Sequence, residues 1–316
     1  MGTRKVIAVT GATGAQGGGL VRSLLSDPDT RFTVRALTRN PGSPAARELA
    51  ELGVEVVRAD FHDEPTVHAA FDGAYGAFLV TDFWAHGSAA KETEEIGVLV
   101  RAAETTGLRH VIWSTLDDTR ELLPLDDERM PVLQGRYNVP HFDAKGAGNH
   151  LFRRAGVPTT FLSTTSYYQG FLGPLAPRRA EDGALTVTMP FEDGRLLALV
   201  DVADIGRTAH ALLKGGERFV GETIRLAGDH LTGAQYAEKL GAALGEPVRF
   251  RSVPYDAFRA LDTPAAREIA NMFQYYGDFD REFTGARDLG RLRSINPALR
   301  SFEDWLTENV AKIPVG

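Results

Sequence analysis

The chain has 316 residues, of which 43% are hydrophobic and 24% charged, and it contains no cysteine. Disulfides, thiolate metal sites and cysteine nucleophiles are therefore excluded, and the reducing cytoplasm is the expected compartment. With 35 basic against 42 acidic residues, the formal charge is -7. Binding to the phosphate backbone of a nucleic acid is thus not expected as the main role, because that interaction needs clustered Lys and Arg.

The amino-terminal sequence MGTRKVIAV passes directly into an apolar run, without the longer apolar segment and small-residue cleavage site of a secretory signal. No apolar stretch approaches the ~20 residues that a membrane-spanning helix requires. We therefore expect no membrane partner.

Short apolar runs alternate with helical patterns along the first half of the chain. The runs are VIAV at 6–9, FTVRAL at 32–37, VEVV at 54–57, GAFLV at 76–80, HVIW at 110–113 and TTFLS at 159–163. Between them, apolar residues recur at the spacing of one helix face, as in the stripes Leu20, Val21, Leu24, Leu25 and Ile96, Leu99, Val100, Ala103. Unbroken apolar strands that alternate with helices predict an α/β fold, a doubly wound parallel sheet of the Rossmann type.

The pattern changes in two places. From about Thr115 to Pro140 the periodicity fails in a charged segment, which predicts a long loop over the carboxyl edge of the sheet. The stretch GALTVTMPFEDGRLLALV predicts a hairpin, followed by helices at 203–214 and from Thr232. We predict a Rossmann domain over 1–164, with returns near 198–230, and a smaller, interleaved α+β domain over 165–316 for a substrate or partner.

The glycine-rich stretch TGATGAQGGG, residues 10–19, directly follows the first apolar run. Gly11, Gly14 and Gly17 form a GxxGxxG pattern, in which bare backbone lets a pyrophosphate approach the start of a helix. A tight strand-to-helix turn without a ligand is the alternative. The position between a strand and an amphipathic helix favours nucleotide binding.

The end of the second predicted strand indicates which dinucleotide is bound. An acidic residue there would bind the ribose 2′-hydroxyl of NAD, but this chain has ALTRN, with Arg39 and no carboxylate. A guanidinium can make charge-assisted contacts with a 2′-phosphate. NADP(H) is therefore favoured over NAD(H), with a solvated surface arginine as the alternative.

Several segments together resemble a known family, the NmrA-like branch of the atypical short-chain dehydrogenase/reductases. They are GATGAQGG at 11–18, TRNP at 38–41, AD at 59–60, VTDFW at 80–84, HFDAKG at 141–146, GVP at 156–158 and ANMFQYY at 270–276. Within the family they look most like the HSCARG-like NADPH sensors. The resemblance implies a Rossmann domain that holds NADP(H) and a smaller domain that forms a cleft.

The resemblance also implies roles for individual residues. The pyrophosphate would lie on Gly11, Ala12, Thr13, Gly14, Ala15, Gln16 and Gly17, and the 2′-phosphate on Arg39 and Asn40. Asp60 and Phe61 would flank the adenine, and Thr81, Asp82 and Phe83 would line the ribose and nicotinamide side. The nicotinamide end would be closed by Lys145, Tyr167, Tyr168, Gln169 and Gly170. HSCARG-like sequences carry more basic residues where this chain has Gly42, Ser43 and Pro44, so the expected preference for NADP is modest.

Active short-chain reductases use a Tyr-x-x-x-Lys motif, in which residues four apart share a helix face and the lysine lowers the tyrosine pKa. Here the matching place has His141 and Lys145. Lys145, His141 and Ser114, which stands where the substrate-orienting serine is expected, are the catalytic candidates. A structural histidine at a helix start is the favoured alternative for His141, and Tyr137 is excluded as the missing tyrosine because Pro140 separates it from the helix.

Two functions remain open at this stage. The first is an NADP(H)-responsive regulator that changes its shape or its protein partner, with a homodimer as one form. The second is an NADPH-dependent reductase of a quinone, an imine or an activated alkene. No spacing of His, Asp and Glu predicts a metal site.

Overall fold

The computed structural model describes residues 4–263 and 265–316, which divide into two compact units. The first contains the residues up to Asp118, His141–Thr164 and Val202–Ile224, and the second contains Thr119–Pro140, Thr165–Asp201 and Arg225–Gly316. Thr165, the first residue after the predicted domain change, begins a segment of the second unit. Residues 119–140, however, which the sequence assigns to the first domain, pack with the second unit.

A seven-stranded sheet organises the first unit. Its strands are β1 (Lys5–Val9), β2 (Phe32–Thr38), β3 (Glu55–Arg58), β4 (Gly76–Leu79), β5 (His110–Thr115), β6 (Thr159–Ser163) and β11 (Thr223–Arg225). They lie in the order β11-β6-β5-β4-β1-β2-β3, and β1 to β6 pair in parallel. All six predicted apolar runs are strands, and the doubly wound fold class is confirmed.

Six helices connect or flank these strands: α1 (Ala15–Leu25), α2 (Pro44–Glu51), α3 (Glu64–Phe71), α4 (Ala89–Thr105), α5 (Pro140–Arg154) and α6 (Val202–Gly215). The predicted stripe on α4 is buried throughout, whereas Leu25 at the end of α1 is 46% exposed and lies outside the core. Helices α1 and α6 pack closely because Gly19 and Gly206 face each other; a Cβ at position 206 would collide with the backbone of Gly19.

The strand order reverses between β1 and β4, and this is where ligands bind in open α/β sheets. Thr10, directly after β1, ties the two strand ends together. Its hydroxyl donates to the Val80 carbonyl oxygen at 3.0 Å and accepts from the Val80 backbone N–H at 2.7 Å. The loops after β1 and β4 are therefore held in a fixed relation.

The second unit contains two small sheets. The strands β7 (Ser166–Tyr167), β10 (Leu196–Val200) and β12 (Asp229–Thr232) form one, and β8 (Arg178–Arg179), β9 (Leu185–Met189) and β13 (Val248–Ser252) form the other. Because β9 and β10 lie in different sheets, the predicted hairpin is wrong. The remaining helices are α7 (Gly233–Leu244), α8 (Tyr255–Arg259), α9 (Ala266–Asp278), α10 (Asp280–Gly285), α11 (Leu289–Ile295) and α12 (Phe302–Asn309). Across the described chain, no helix combines the length and apolar character that a membrane crossing needs.

Candidate functional site

The glycine turn, residues 10–17, joins β1 to α1 by a path that only glycine permits at two positions. Gly11 has φ +59, and a Cβ there would meet Val80 Cγ1 at 3.0 Å. A Cβ at Gly17 would lie 2.5 Å from the backbone oxygens of both Thr10 and Gly11. Gly14 precedes α1 in an extended conformation, and no acidic side chain occupies the first turn of this helix. No carboxylate of its own first turn therefore occupies the positive end of α1.

Exposure differs from residue to residue within the turn. Gly11, Thr13, Gly14 and Ala15 are exposed, whereas Ala12 and Gly17 are buried against the unit. A ligand at the turn would therefore meet backbone from the exposed residues and would not contact the Ala12 side chain.

At the end of β2, Arg39 and Asn40 are both exposed. The Asn40 side chain accepts from the Gly42 backbone N–H at 3.0 Å, and Ser43 caps the start of α2 by accepting from Ala46 N–H. Within residues 4–263 and 265–316, the guanidinium of Arg39 forms no hydrogen bond or ion pair. Arg39 is therefore a cation with its full hydrogen-bonding capacity left for a ligand.

Asp60 and Phe61 follow β3 and are partly buried. The Asp60 carboxylate accepts from the His62 backbone N–H at 3.0 Å, and this bond is the main reason that the pKa of Asp60 lies below its usual value. Asp60 is held as a charged turn residue beside the carboxyl edge of the sheet.

Lys145 on α5 lies in a buried cluster with Thr81, after β4, and Glu92, on α4. Its ammonium is 2.6 Å from Glu92 Oε1, and it donates to the Thr81 hydroxyl at 2.6 Å and the Thr81 carbonyl at 3.0 Å. The Thr81 hydroxyl in turn donates to Glu92 Oε1 at 2.5 Å. Glu92 is 0% exposed, and the Lys145 ammonium also lies 5.4 Å from the centre of the Trp113 ring.

These contacts account for the whole donor capacity of Lys145, because an ammonium has three N–H groups. One is directed at a carboxylate, one at a hydroxyl and one at a carbonyl. We call Thr81, Glu92 and Lys145 the lysine cluster. It brings together two predicted site residues, Thr81 and Lys145, with one that sequence reasoning missed.

Glu92 also lies beside His86 and Glu95, a trio whose candidate ligand atoms lie within 4.8 Å of one another. No spacing in the sequence predicts this group. Burial and the charge of Glu92 raise the pKa of Glu95. The trio is nevertheless a poor metal site, because the Lys145 ammonium already neutralises Glu92.

The tautomer of His86 gives a second argument against a metal. Its Nδ1 accepts from the Ser88 backbone N–H at 3.1 Å, so the neutral ring carries its hydrogen on Nε2. That nitrogen is directed at Glu92 and Glu95, at 3.5 and 3.8 Å. A nitrogen that carries hydrogen has no lone pair for a metal ion, so His86 Nε2 in this tautomer offers no ligand atom.

His141 is the second residue of α5 and is 6% exposed. Its ring packs against Phe83 and Trp84, with centroid distances of 5.6 and 5.0 Å. The helix begins at Pro140, so Tyr137 lies outside it, as the sequence predicts. Phe83 is 2% exposed, whereas Asp82 and Trp84 are exposed at the same loop.

Ser114, near the end of β5, is buried and donates to Gln16 Oε1 at 2.6 Å. This bond connects the strand to the start of α1. The hydroxyl thus holds a residue of the glycine turn, which differs from the substrate-orienting role that its position in the sequence suggests.

Tyr167 to Gly170 belong to the second unit, in β7 and the short helix Tyr168–Leu172. Tyr168 is 0% exposed, and its ring packs against Phe302 and Trp305 at centroid distances of 5.1 and 5.8 Å. Its side chain is part of the core of that unit, which corrects the expectation that it closes a ligand site. The Gln169 amide donates to Asp201 at 2.8 Å.

A signal for Glu92 is present in the sequence. It precedes Ile96 by four residues and Leu99 by seven, so it lies in register with the apolar stripe of α4. A charged residue on a buried helix face needs a partner. Residue type and register therefore indicate a buried acid, although they do not identify Lys145 as its partner.

Comparisons with known proteins identify the family. The model of the NmrA-like family matches residues 3–306. The chain belongs to the NmrA-like family. A curated relative, the NmrA-like family domain-containing oxidoreductase hkm9 of Aspergillus hancockii, is 31% identical over 290 residues, which cover 87% of this chain and 82% of that protein.

Solved structures of this family's fold are similar over almost the whole chain. NmrA, described as a negative transcriptional regulator, has a TM-score of 0.80 and 23% identity in its complex with NAD, and 0.78 and 22% in its complex with NADP, with 98% of this chain and 96% of NmrA covered. The Citrobacter sp. triphenylmethane reductase complexed with NADP(H) has a TM-score of 0.76 and 20% identity, with 96% and 99% covered. At these identities the likeness supports the fold alone.

Proposed function

We propose that this chain binds NADP(H) at the glycine turn and acts as a regulator that responds to the NADPH/NADP state. The glycine turn carries the proposal, because Gly17 admits no side chain and α1 starts without an acidic residue. The uncommitted Arg39 supplies a cation for the 2′-phosphate. NmrA, a regulator crystallised with NAD and with NADP, supports the same use of the fold.

A regulator is favoured over a catalyst because the residues that would donate a proton in catalysis are missing or held by other contacts. No tyrosine stands four residues before Lys145, and His141 in its place packs against aromatic rings. The three N–H groups of Lys145 are already committed within the lysine cluster. The resemblance to HSCARG-like NADPH sensors, which is an expectation from sequence segments such as HFDAKG at 141–146, favours a sensor as well.

A reductase is the second candidate, because the relative hkm9 is named an oxidoreductase and the Citrobacter protein a reductase. Hydride transfer to an electron-poor acceptor, such as a quinone, an imine or an activated alkene, depends mainly on orientation. Such a reaction would place little demand on a protein acid, since solvent can supply the proton. Lys145 and His141 are the protein groups that could contribute.

Binding is tested first, by titrating the protein with NADPH in a calorimeter. Because misplacing a positioned contact by about 1 Å can cost about 100-fold, we expect Gly17→Ala to weaken NADPH binding by about that factor. Gly19→Ala is the matched control on the same helix, where the nearest atoms lie at an ordinary 3.7 Å. Equal affinities of the two variants would contradict binding at the glycine turn.

Turnover separates the two candidates. The protein is mixed with NADPH and a panel of quinones, imines and enones, while absorbance at the nicotinamide band is followed. A regulator binds NADPH, changes its oligomer size or partner affinity between NADPH and NADP, and leaves the panel unreduced. Steady oxidation that is lost in Lys145→Ala would establish the reductase instead.

A further inference from the structure

The three acceptors around Lys145 differ in chemistry. Glu92 Oε1, at 2.6 Å, is a buried carboxylate and makes a charge-assisted contact, which is stronger than a neutral hydrogen bond. The Thr81 carbonyl, at 3.0 Å, is uncharged and makes the longest of the three contacts. A ligand hydroxyl that reaches the ammonium would therefore displace the Thr81 carbonyl before it displaced Glu92.

We propose that Glu92 is the positioning residue that fixes the Lys145 ammonium for NADP(H). This inference rests on the proposed binding of NADP(H) by the chain. Glu92 keeps its contact with the ammonium while a hydroxyl of the bound cofactor takes the place of the Thr81 carbonyl. Thr81 Oγ1 links the two charged groups, since it accepts from Lys145 and donates to Glu92.

Side-chain flexibility explains why such a residue is needed. A lysine ammonium sits on four rotatable methylenes, and ordering it on binding would weaken the affinity. In the lysine cluster that ordering occurs when the protein folds, because Glu92 lies on the long helix α4 and is 0% exposed. A buried ion pair adds little net stability compared with an apolar pair, so its contribution here is to define where the ammonium lies.

A double-mutant cycle tests the proposal. The four proteins are the wild type, Glu92→Gln, Lys145→Met and the double variant, and the dissociation constant for NADPH is measured by calorimetry for each. We expect Glu92→Gln to weaken binding about tenfold in the wild-type background and to have no further effect once Lys145 is Met, because coupled residues are not additive. Glu94→Gln, an exposed position on the same helix, is the control and should match the wild type.

The cycle distinguishes positioning from general destabilisation. An equal loss for Glu92→Gln in both backgrounds would mean that Glu92 acts on the fold and not through Lys145, and would overturn the inference. Unchanged binding in Glu92→Gln, with weaker binding in Lys145→Met, would overturn it as well and leave the proposed function intact. A wild type that does not bind NADPH would refute the proposed function itself, and this inference with it.

Thr81→Val gives a second measure that leaves both charges in place, in case a single charge variant does not fold. It removes the hydroxyl that bridges Lys145 and Glu92. Introduced alone, Thr81→Val should weaken NADPH binding about threefold. Added to the Glu92→Gln/Lys145→Met double variant, which carries no buried charge in the cluster, it should cause no further change. Unchanged binding in Thr81→Val would count against the positioning network.

Discussion

The glycine turn and the lysine cluster follow neighbouring strands, β1 and β4, yet they are built from different parts of the chain. The turn uses backbone from eight consecutive positions, 10–17, and its geometry is imposed by the absence of side chains at Gly11 and Gly17. The cluster uses the ends of three side chains carried by a loop and two helices. Backbone sites of this kind are specified locally, whereas side-chain sites depend on the completed fold.

The glycine turn and the lysine cluster also differ in what their formation costs in free energy. A backbone turn exposes amide groups that water solvates while no ligand is present, so little free energy is stored in it. The lysine cluster buries a carboxylate and an ammonium, and each charge is tolerated only because the other is present. The two regions should therefore respond differently to mutation, which the following predictions exploit.

The largest effect is expected on the stability of the protein when the lysine cluster loses its ammonium. Lys145→Ala leaves the fully buried Glu92 without its counter-ion, which should lower the free energy of unfolding by about 3–5 kcal/mol. Urea denaturation measures the change. Lys91→Ala, at an exposed position on α4, is the matched control, and a Lys145 variant no less stable than this control would show that the cluster carries no buried charge pair.

The difference between a site of consecutive backbone residues and a site of distant side chains also explains which features the sequence predicts. The glycine turn and the six apolar strands depend on neighbouring residues, so the pattern of a short segment was enough to predict them. Thr81 and Lys145 are 64 positions apart, and only the parallel order of the strands brings their surroundings together. Glu92 was missed because its register indicates burial but not its partner.

The second unit was predicted less well for a related reason. Its strands are short and pair across long separations, as β9 does with β13, so an apparent hairpin could satisfy the local pattern equally well. The strand β11 has three residues, which is too few for a periodic signal. The Tyr168 side chain lies in a core formed with Phe302 and Trp305, more than a hundred positions away in the sequence.

An intermediate effect is expected at Arg39, the exposed cation directly after β2. Arg39→Ala removes charge-assisted contacts with a 2′-phosphate, so NADPH binding should weaken about tenfold while NADH binding is unchanged. Calorimetric titrations with both cofactors provide the measurement. Because Arg39 is exposed, the difference should also shrink as ionic strength rises.

Arg47→Ala, an exposed arginine on α2 with the same charge change, serves as the control for Arg39. It should leave both affinities at the wild-type values. If NADPH and NADH weaken equally in Arg39→Ala, the guanidinium does not bind the 2′-phosphate, and the preference for NADP loses its main support.

The smallest effect is expected at His141, which lies on α5 and packs its ring against Phe83 and Trp84. His141→Gln removes these ring contacts, which should lower the free energy of unfolding by about 1 kcal/mol. NADPH affinity, and any turnover, should stay within about twofold of the wild type. His150→Gln, exposed on the same helix, is the control. A large loss of turnover with unchanged NADPH affinity would instead assign His141 the role of proton donor and favour the reductase over the regulator.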